Sequence, residues 1–297
     1  MNSETTGATW IATAFTRERP ASANKPAGSQ DAVAIDPLVD DQWWSMAVAD
    51  GHGDAAHIRS RHGAEAACRS SRNAALTLQE AVAGGNRAEA QRFITDLAGR
   101  QIVRHWNEDV KSDALSRVPN DADLEATGLS TEEWRQSIQE GVGEDDGLVE
   151  RLYGTTVIGC LVGPSFAGAW QIGDGLVVFV DVEGQVTFPL NVDDEPLGDV
   201  TQSLATKNAS NLFRTQALWE STDRLLLIAL LTDGVEKAYR RLEDLEADLK
   251  AISLACKEEE PAAAKQRLEK YAEEFAIQGS DTSGDDATIA LLLRQFA

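Results

Sequence analysis

Four short acidic clusters, each beside glycine or another small residue, constrain this chain more than any other feature. They are Gln30-Asp31, Asp50-Gly51-His52-Gly53, Thr232-Asp233-Gly234 and Asp285-Asp286-Ala287-Thr288. Each stands at the end of, or inside, an apolar β-like run. A fold that brings such strand ends together collects distant carboxylates into one oxygen-rich pocket, the ligand set that hard cations such as Mg²⁺ and Mn²⁺ prefer.

The chain has 297 residues, 42% of them hydrophobic, enough for a substantial core in one large sandwich or barrel. Its 49 acidic and 27 basic residues leave a net charge of −22. So acidic a surface disfavours nucleic acid and anionic membranes, whose phosphates need neutralising. Three widely spaced cysteines, Cys68, Cys160 and Cys256, form no CxxC pair. They argue against a disulfide framework and a zinc site, and fit a reducing cytoplasm. The polar first residues lack the build of a signal peptide. No apolar run approaches the roughly 18 residues of a membrane span.

Periodicity and glycine punctuation predict the elements. A first strand is expected at 9–16, then a Pro- and Ala-rich loop over 17–29, then a hairpin of two strands at 32–35 and 43–49. Ala- and Arg-rich stretches at 55–82 and 88–115 read as two long helices. Segment 116–150 is acidic, carries few core residues and reads as an insertion within a single domain spanning 1–297. Ser130-Thr131-Glu132-Glu133 there predicts a helix N-cap. Strands follow at 155–162, 167–172, 176–180 and 185–188. The polar connection 189–211 reads as a functional or mobile loop. Strands at 212–219 and 224–231, helices at 242–256 and 261–275, and an apolar, central strand at 287–293 complete the chain. Alternation of strand groups with paired helices predicts an α+β fold, sheet on sheet with helices outside.

Asp50 closes the run Met46-Ala47-Val48-Ala49, and Gly51 lets the backbone turn and present a carbonyl. Asp233 and Asp285 repeat the design at other strand ends. Three such carboxylates can share two metals roughly 3.5–4 Å apart, which acidify a bridging water. His52, too near Asp50 in sequence to ligate the same ion easily, suits general acid work on a leaving alkoxide. His57 and His62 read as surface or capping residues of the following helix, and His105 as a helix-face residue. One ring of Trp43-Trp44 is expected in the core.

In this order the motifs resemble the metal-dependent serine/threonine protein phosphatases of type 2C, the PPM family, of bacterial type. The resemblance covers nearly the whole chain. Beside the four clusters it rests on Gly154-Thr155-Thr156 and Ile172-Gly173-Asp174. It implies a four-layer αββα sandwich with two Mn²⁺ or Mg²⁺ ions in a cleft between two antiparallel sheets, and a third, weaker site. Asp50 would bridge the two metals, with the Gly51 carbonyl, Asp233, Asp285 and Asp31 completing their shells. Asp174 would join Asp233 at the third site. His52 would protonate the leaving serine or threonine oxygen as a metal-activated water attacks phosphorus. Phosphorylated proteins and a cognate Ser/Thr kinase are the implied partners.

Two positions depart from the family pattern. An arginine a few residues before the first acidic motif usually grips phosphate bidentately. Here the upstream arginines are Arg17 and Arg19, neither at that spacing, and they are the candidates for the phosphate grip. Gln30 stands where many members carry glutamate. These departures motivate an alternative, a catalytically weak module that binds phosphoproteins in a signalling complex. A calcium-binding structural role lacks any twelve-residue EF-hand pattern.

Overall fold

The structure, a computed structural model, describes residues 9–20, 28–38, 42–54, 56–120, 124–125, 127–139, 147–190, 202–219 and 222–296. Among the described residues, ten strands form two antiparallel sheets of five. One runs β1 (Thr9–Arg17), β10 (Ala287–Gln295), β9 (Leu225–Leu231), β6 (Leu176–Asp181), β7 (Val186–Thr187). The other runs β2 (Ala32–Pro37), β3 (Trp44–Ala49), β4 (Val157–Gly163), β5 (Phe166–Ile172), β8 (Arg214–Trp219). This is the predicted α+β, four-layer αββα sandwich.

The layering follows from which residues must be hidden. Strands with alternate residues buried on both faces read as continuous apolar runs. In β9 all seven residues are buried. Ile228 and Leu230 face the other sheet, packing with Met46, Val48 and Ile158, while Leu227, Ala229 and Leu231 join the helices on the outside. Those helices are α7 (Leu242–Lys257) and α8 (Pro261–Ser283). On the opposite flank, α1 (Ser60–Ala83) and α3 (Ala98–Ser116) cover the second sheet. α1 approaches its sheet through small residues, Ala64, Ala67, Ala74 and Ala75, all fully buried. The three cysteines fall one in each of the three cores and are unpaired.

Several boundaries moved. α1 begins at Ser60 rather than at 55, because the His57 N–H first donates to Asp54 O and the Ser60 N–H to His57 O. The second long helix is three consecutive pieces: α2 (Arg87–Arg92), a π-helical turn (Phe93–Leu97) and α3. α8 runs eight residues past the expected end at 275, to Ser283, and stops at Gly284 in the left-handed conformation. β10 lies between β1 and β9. Segment 116–150 holds α4 (Thr131–Gln139) and the start of α5 (Leu148–Leu152). It supplies more to the core than its composition promised, since Leu124 and Trp134 are buried beside α3. Of the connection 189–211, where the resemblance implies a flap, residues 191–201 lie outside the described residues. Among the described residues no helix is long and apolar enough to cross a membrane.

Candidate functional site

Every acidic motif ends at one rim of the sandwich. Asp31 immediately precedes β2, Asp50 follows β3, Asp174 lies in the β5–β6 turn, Asp233 opens the short helix α6 (Asp233–Glu236) after β9, and Asp285 precedes β10. Antiparallel pairing sets these ends side by side. The tightest group is Asp50, Asp174 and Asp233, whose carboxylate oxygens lie within 4.8 Å of one another. Asp31 and Asp285 flank them, close enough for their charges to act on Asp50. Asp174 enters this group because its turn is folded against the end of β9, where a Cβ on Gly175 would come within 2.5 Å of the Leu231 carbonyl.

Small residues hold this geometry. The Thr156 N–H donates to Asp50 O at 2.8 Å, the Thr155 hydroxyl to the same oxygen at 2.8 Å, and the Asp50 N–H to Thr156 Oγ1 at 3.1 Å. Gly154-Thr155-Thr156 is therefore the clamp on Asp50. A Cβ on Gly51 would come within 2.6 Å of the Gln30 carbonyl, and one on Gly234 within 1.9 Å of the Asp286 carbonyl. The acidic turns are packed backbone to backbone, which only glycine permits. Thr232 Oγ1 donates to Asp31 Oδ2 at 3.0 Å and accepts the Thr288 N–H at 2.9 Å.

Gln30 and Asp286 play supporting parts. The Gln30 amide points away from the carboxylates: its oxygen accepts from Ser60 Oγ at 2.8 Å and its nitrogen donates to Gly28 O at 2.9 Å. It ties the first acidic turn to the start of α1. Asp286 is buried and accepts the Gln30 N–H at 2.7 Å, the Arg19 N–H at 2.9 Å and Arg19 Nη1 at 3.0 Å.

That last contact places the upstream arginines. Arg19 is buried, bonded to a residue 267 positions away, and its Nη1 lies 3.7 Å from Asp285. The same nitrogen would meet a Cβ on Gly53 at 2.7 Å. Arg17 is exposed, at the end of β1 opposite Ala287. Arg19 thus reaches both acids of the closing motif.

Three features were not anticipated. His57 is not in α1 but in the turn before it, and its ring packs edge-to-face on His52 with centroids 4.7 Å apart. Asp54 binds His57 Nδ1 at 2.7 Å. The Lys237 ammonium rests on Asp233. An Asp-x-x-His turn, and a lysine four residues after an aspartate that opens a helix, were the available signals. Of the remaining histidines, His62 reaches Glu65 at 3.5 Å and His105 reaches Glu108 at 3.3 Å, both on helix faces as expected.

Gathering like charges is costly. Burial, then repulsion by Asp31 and Asp233, pushes the Asp50 carboxyl well above the usual range. Burial raises Asp31 to about 7, although hydrogen bonds from Thr288 and Thr232 oppose the shift. Burial, then His57, lowers the His52 imidazole to about 4. Asp31 Oδ1 and Asp233 Oδ1 are buried without a hydrogen-bond partner. Orphaned carboxylate oxygens within a like-charged cluster are what a hard divalent cation would satisfy, so the residues present fit a Mg²⁺- or Mn²⁺-type ion.

An antiparallel αββα sandwich with an acidic rim of this kind is a scaffold suited to holding divalent cations. A family model described as Protein phosphatase 2C matches residues 22–272, and the chain belongs to that family. It is similar in fold to the serine/threonine phosphatase Stp1 of Staphylococcus aureus (TM-score 0.53, 14% identity, 95% of this chain and 94% of that one). It also resembles PppA, described as a key regulatory component of T6SS in Pseudomonas aeruginosa (TM-score 0.51, 12% identity, 96% and 98%). A structure from work on the bacterial stressosome matches equally well (TM-score 0.51, 12% identity, 96% and 99%). No curated protein matches the chain by sequence.

Proposed function

We propose that the chain is a cytoplasmic, metal-dependent phosphatase of phosphoserine and phosphothreonine in proteins, acting opposite a Ser/Thr kinase. The observation that carries this reading is the rim of five carboxylates from five separate strand ends, with two buried oxygens lacking a partner. Asp50, Asp233, Asp31, Asp285 and the Gly51 carbonyl would hold two Mn²⁺ or Mg²⁺ ions, with Asp174 and Asp233 serving a third, weaker site. Ions held there supply a Lewis acid that makes water nucleophilic at neutral pH and neutralises phosphate charge.

The chain's own groups do the remainder. Arg19, immobilised by Asp286 at 3.0 Å, presents its guanidinium to phosphate, whose planar fork suits bidentate recognition. Arg17, exposed at the end of β1, steers rather than grips. His52 faces the leaving oxygen and gives it a proton. A phosphate dianion beside His52 adds negative charge and raises its pKa from the low value of the free site.

A second reading, a regulatory module that binds phosphoproteins without turnover, draws support from Lys237, a cation already seated on Asp233. Hydrolysis of p-nitrophenyl phosphate and a phosphoserine peptide by the Mn²⁺-loaded protein separates the two. The phosphatase reading expects turnover that Asp50→Ala reduces by about 10³-fold or more. Tight peptide binding with no phosphate released would favour the module instead.

A further inference from the structure

The turn after the Asp-Gly-His-Gly motif carries a second imidazole that the reading above leaves without a role. His57 Nδ1 lies 2.7 Å from Asp54 Oδ1, an oxygen that also accepts the Ala56 N–H at 2.8 Å. The carboxylate is therefore held by backbone before it meets the ring. The turn closes on itself, since the His57 N–H donates to Asp54 O at 3.1 Å and the Ser60 N–H to His57 O at 3.0 Å. An acceptor-only carboxylate at Nδ1 keeps the proton on that nitrogen and fixes the tautomer. Asp54 is exposed, yet the His57 side chain is only 17% exposed, because its other edge is covered by His52.

The contact is built rather than incidental. The two rings meet at 63°, edge to face. Gly154 backs both of them: a Cβ there would come within 2.6 Å of Cδ2 of His52 and of His57 alike. The Gly154 carbonyl also accepts the His52 N–H at 3.1 Å. His52 is thus packed between the His57 ring and the Gly154 backbone. Proton donation needs the donor within hydrogen-bond reach of the leaving oxygen. A displacement of about 1 Å can cost up to about 10²-fold in rate.

We propose that Asp54 and His57 form a positioning pair that holds the His52 ring at a fixed angle beside the acidic rim. The inference rests on the phosphatase reading. In the step concerned, the bond from phosphorus to the leaving oxygen breaks with its electron pair on oxygen, which takes the His52 proton. Water oxygen bonds phosphorus and gives its proton to solvent. His57 touches none of the reacting atoms and acts through His52 alone.

Leaving-group dependence tests this, because a merely structural residue affects all esters equally. The full-length, Mn²⁺-loaded wild type and His57→Ala are compared on a phosphoserine peptide, whose alkoxide needs a proton, and on p-nitrophenyl phosphate, whose phenolate does not. The expected result is a kcat loss of about 10- to 100-fold on the peptide, against about threefold or less on the aryl ester, with KM little changed. An unchanged rise of Tm with Mn²⁺ verifies an intact centre. His57→Phe, which keeps a ring against His52, recovers much of the peptide rate, and Asp54→Asn loses less than His57→Ala. Equal losses on both esters, or none, overturn the positioning pair while leaving the phosphatase standing. A folded wild type inert on both overturns the phosphatase reading and the pair with it.

Discussion

Two polar clusters in this molecule are built from similar side chains and follow opposite logic. At the junction of α1, α3 and segment 116–150, Arg59 donates to Asp113 at 3.0 Å and to the Tyr153 hydroxyl at 2.9 Å, and Tyr153 donates to Asp113 at 2.7 Å. The Arg59 guanidinium also lies over the Trp134 ring at 5.9 Å. Every charge there has a partner, and despite partial burial the hydrogen bonds from Tyr153 and Arg117 hold Asp113 below the usual carboxylate range. At the rim, acids meet acids, Asp50 and Asp31 are pushed upward, and two oxygens have no partner. The first cluster is complete within the chain and fastens helices together. The second is complete only when something cationic enters, and that incompleteness marks it as the working site.

The sharpest way to break the contrast is Asp113→Ala. It leaves Arg59 half-buried without its anion, and the expected cost is about 2–4 kcal/mol in denaturant unfolding. Mn²⁺ affinity by calorimetry should not move. A change in affinity would mean that the two clusters are coupled.

The rim should respond in the opposite sense. Because the folded-state pKa of Asp31 is raised from 3.8 to about 7, its protonated form favours the fold. That contribution is fully present below about pH 4 and is lost as pH rises through about 7. The Tm of chelated protein is therefore expected to fall between about pH 5 and 8, while stabilisation by added Mn²⁺ grows as protons cease to compete. Asp31→Asn should raise the chelated Tm at pH 8 by a few degrees and flatten the pH dependence, with weaker Mn²⁺ binding. A chelated protein most stable at pH 8 would contradict the picture of frustrated charge.

The smallest effect is expected at Lys237. Its ammonium occupies Asp233 and lies in the field of Asp174 and Asp285. Lys237→Met removes a competing cation and should tighten Mn²⁺ binding about three- to tenfold. Weaker binding would show that Lys237 helps to order Asp233 rather than competing for it.

Much of this was readable beforehand, for identifiable reasons. The β9 and β10 runs announced buried strands because both faces of each are covered. Glycine marked the acidic turns because a side chain at Gly51 or Gly234 would collide with another backbone. The α1 start was misread because the Ala- and Arg-rich stretch carries helical propensity, while the N–H groups of His57 and Ser60 are given to Asp54 O and His57 O. The acceptor role of Asp286 had no local signature, because the groups it serves, on Arg19 and Gln30, lie at the other end of the chain.

The sequence by itself determined the strand and helix types, the order of the acidic motifs and the family, since periodicity, glycine placement and motif spacing are local. Which carboxylates converge was decided only by the tertiary structure. Asp174 joined Asp50 and Asp233, Arg19 met Asp286, and His57 met His52. Such contacts depend on the register of ten strands in two facing sheets, a property of the whole chain that no single segment encodes.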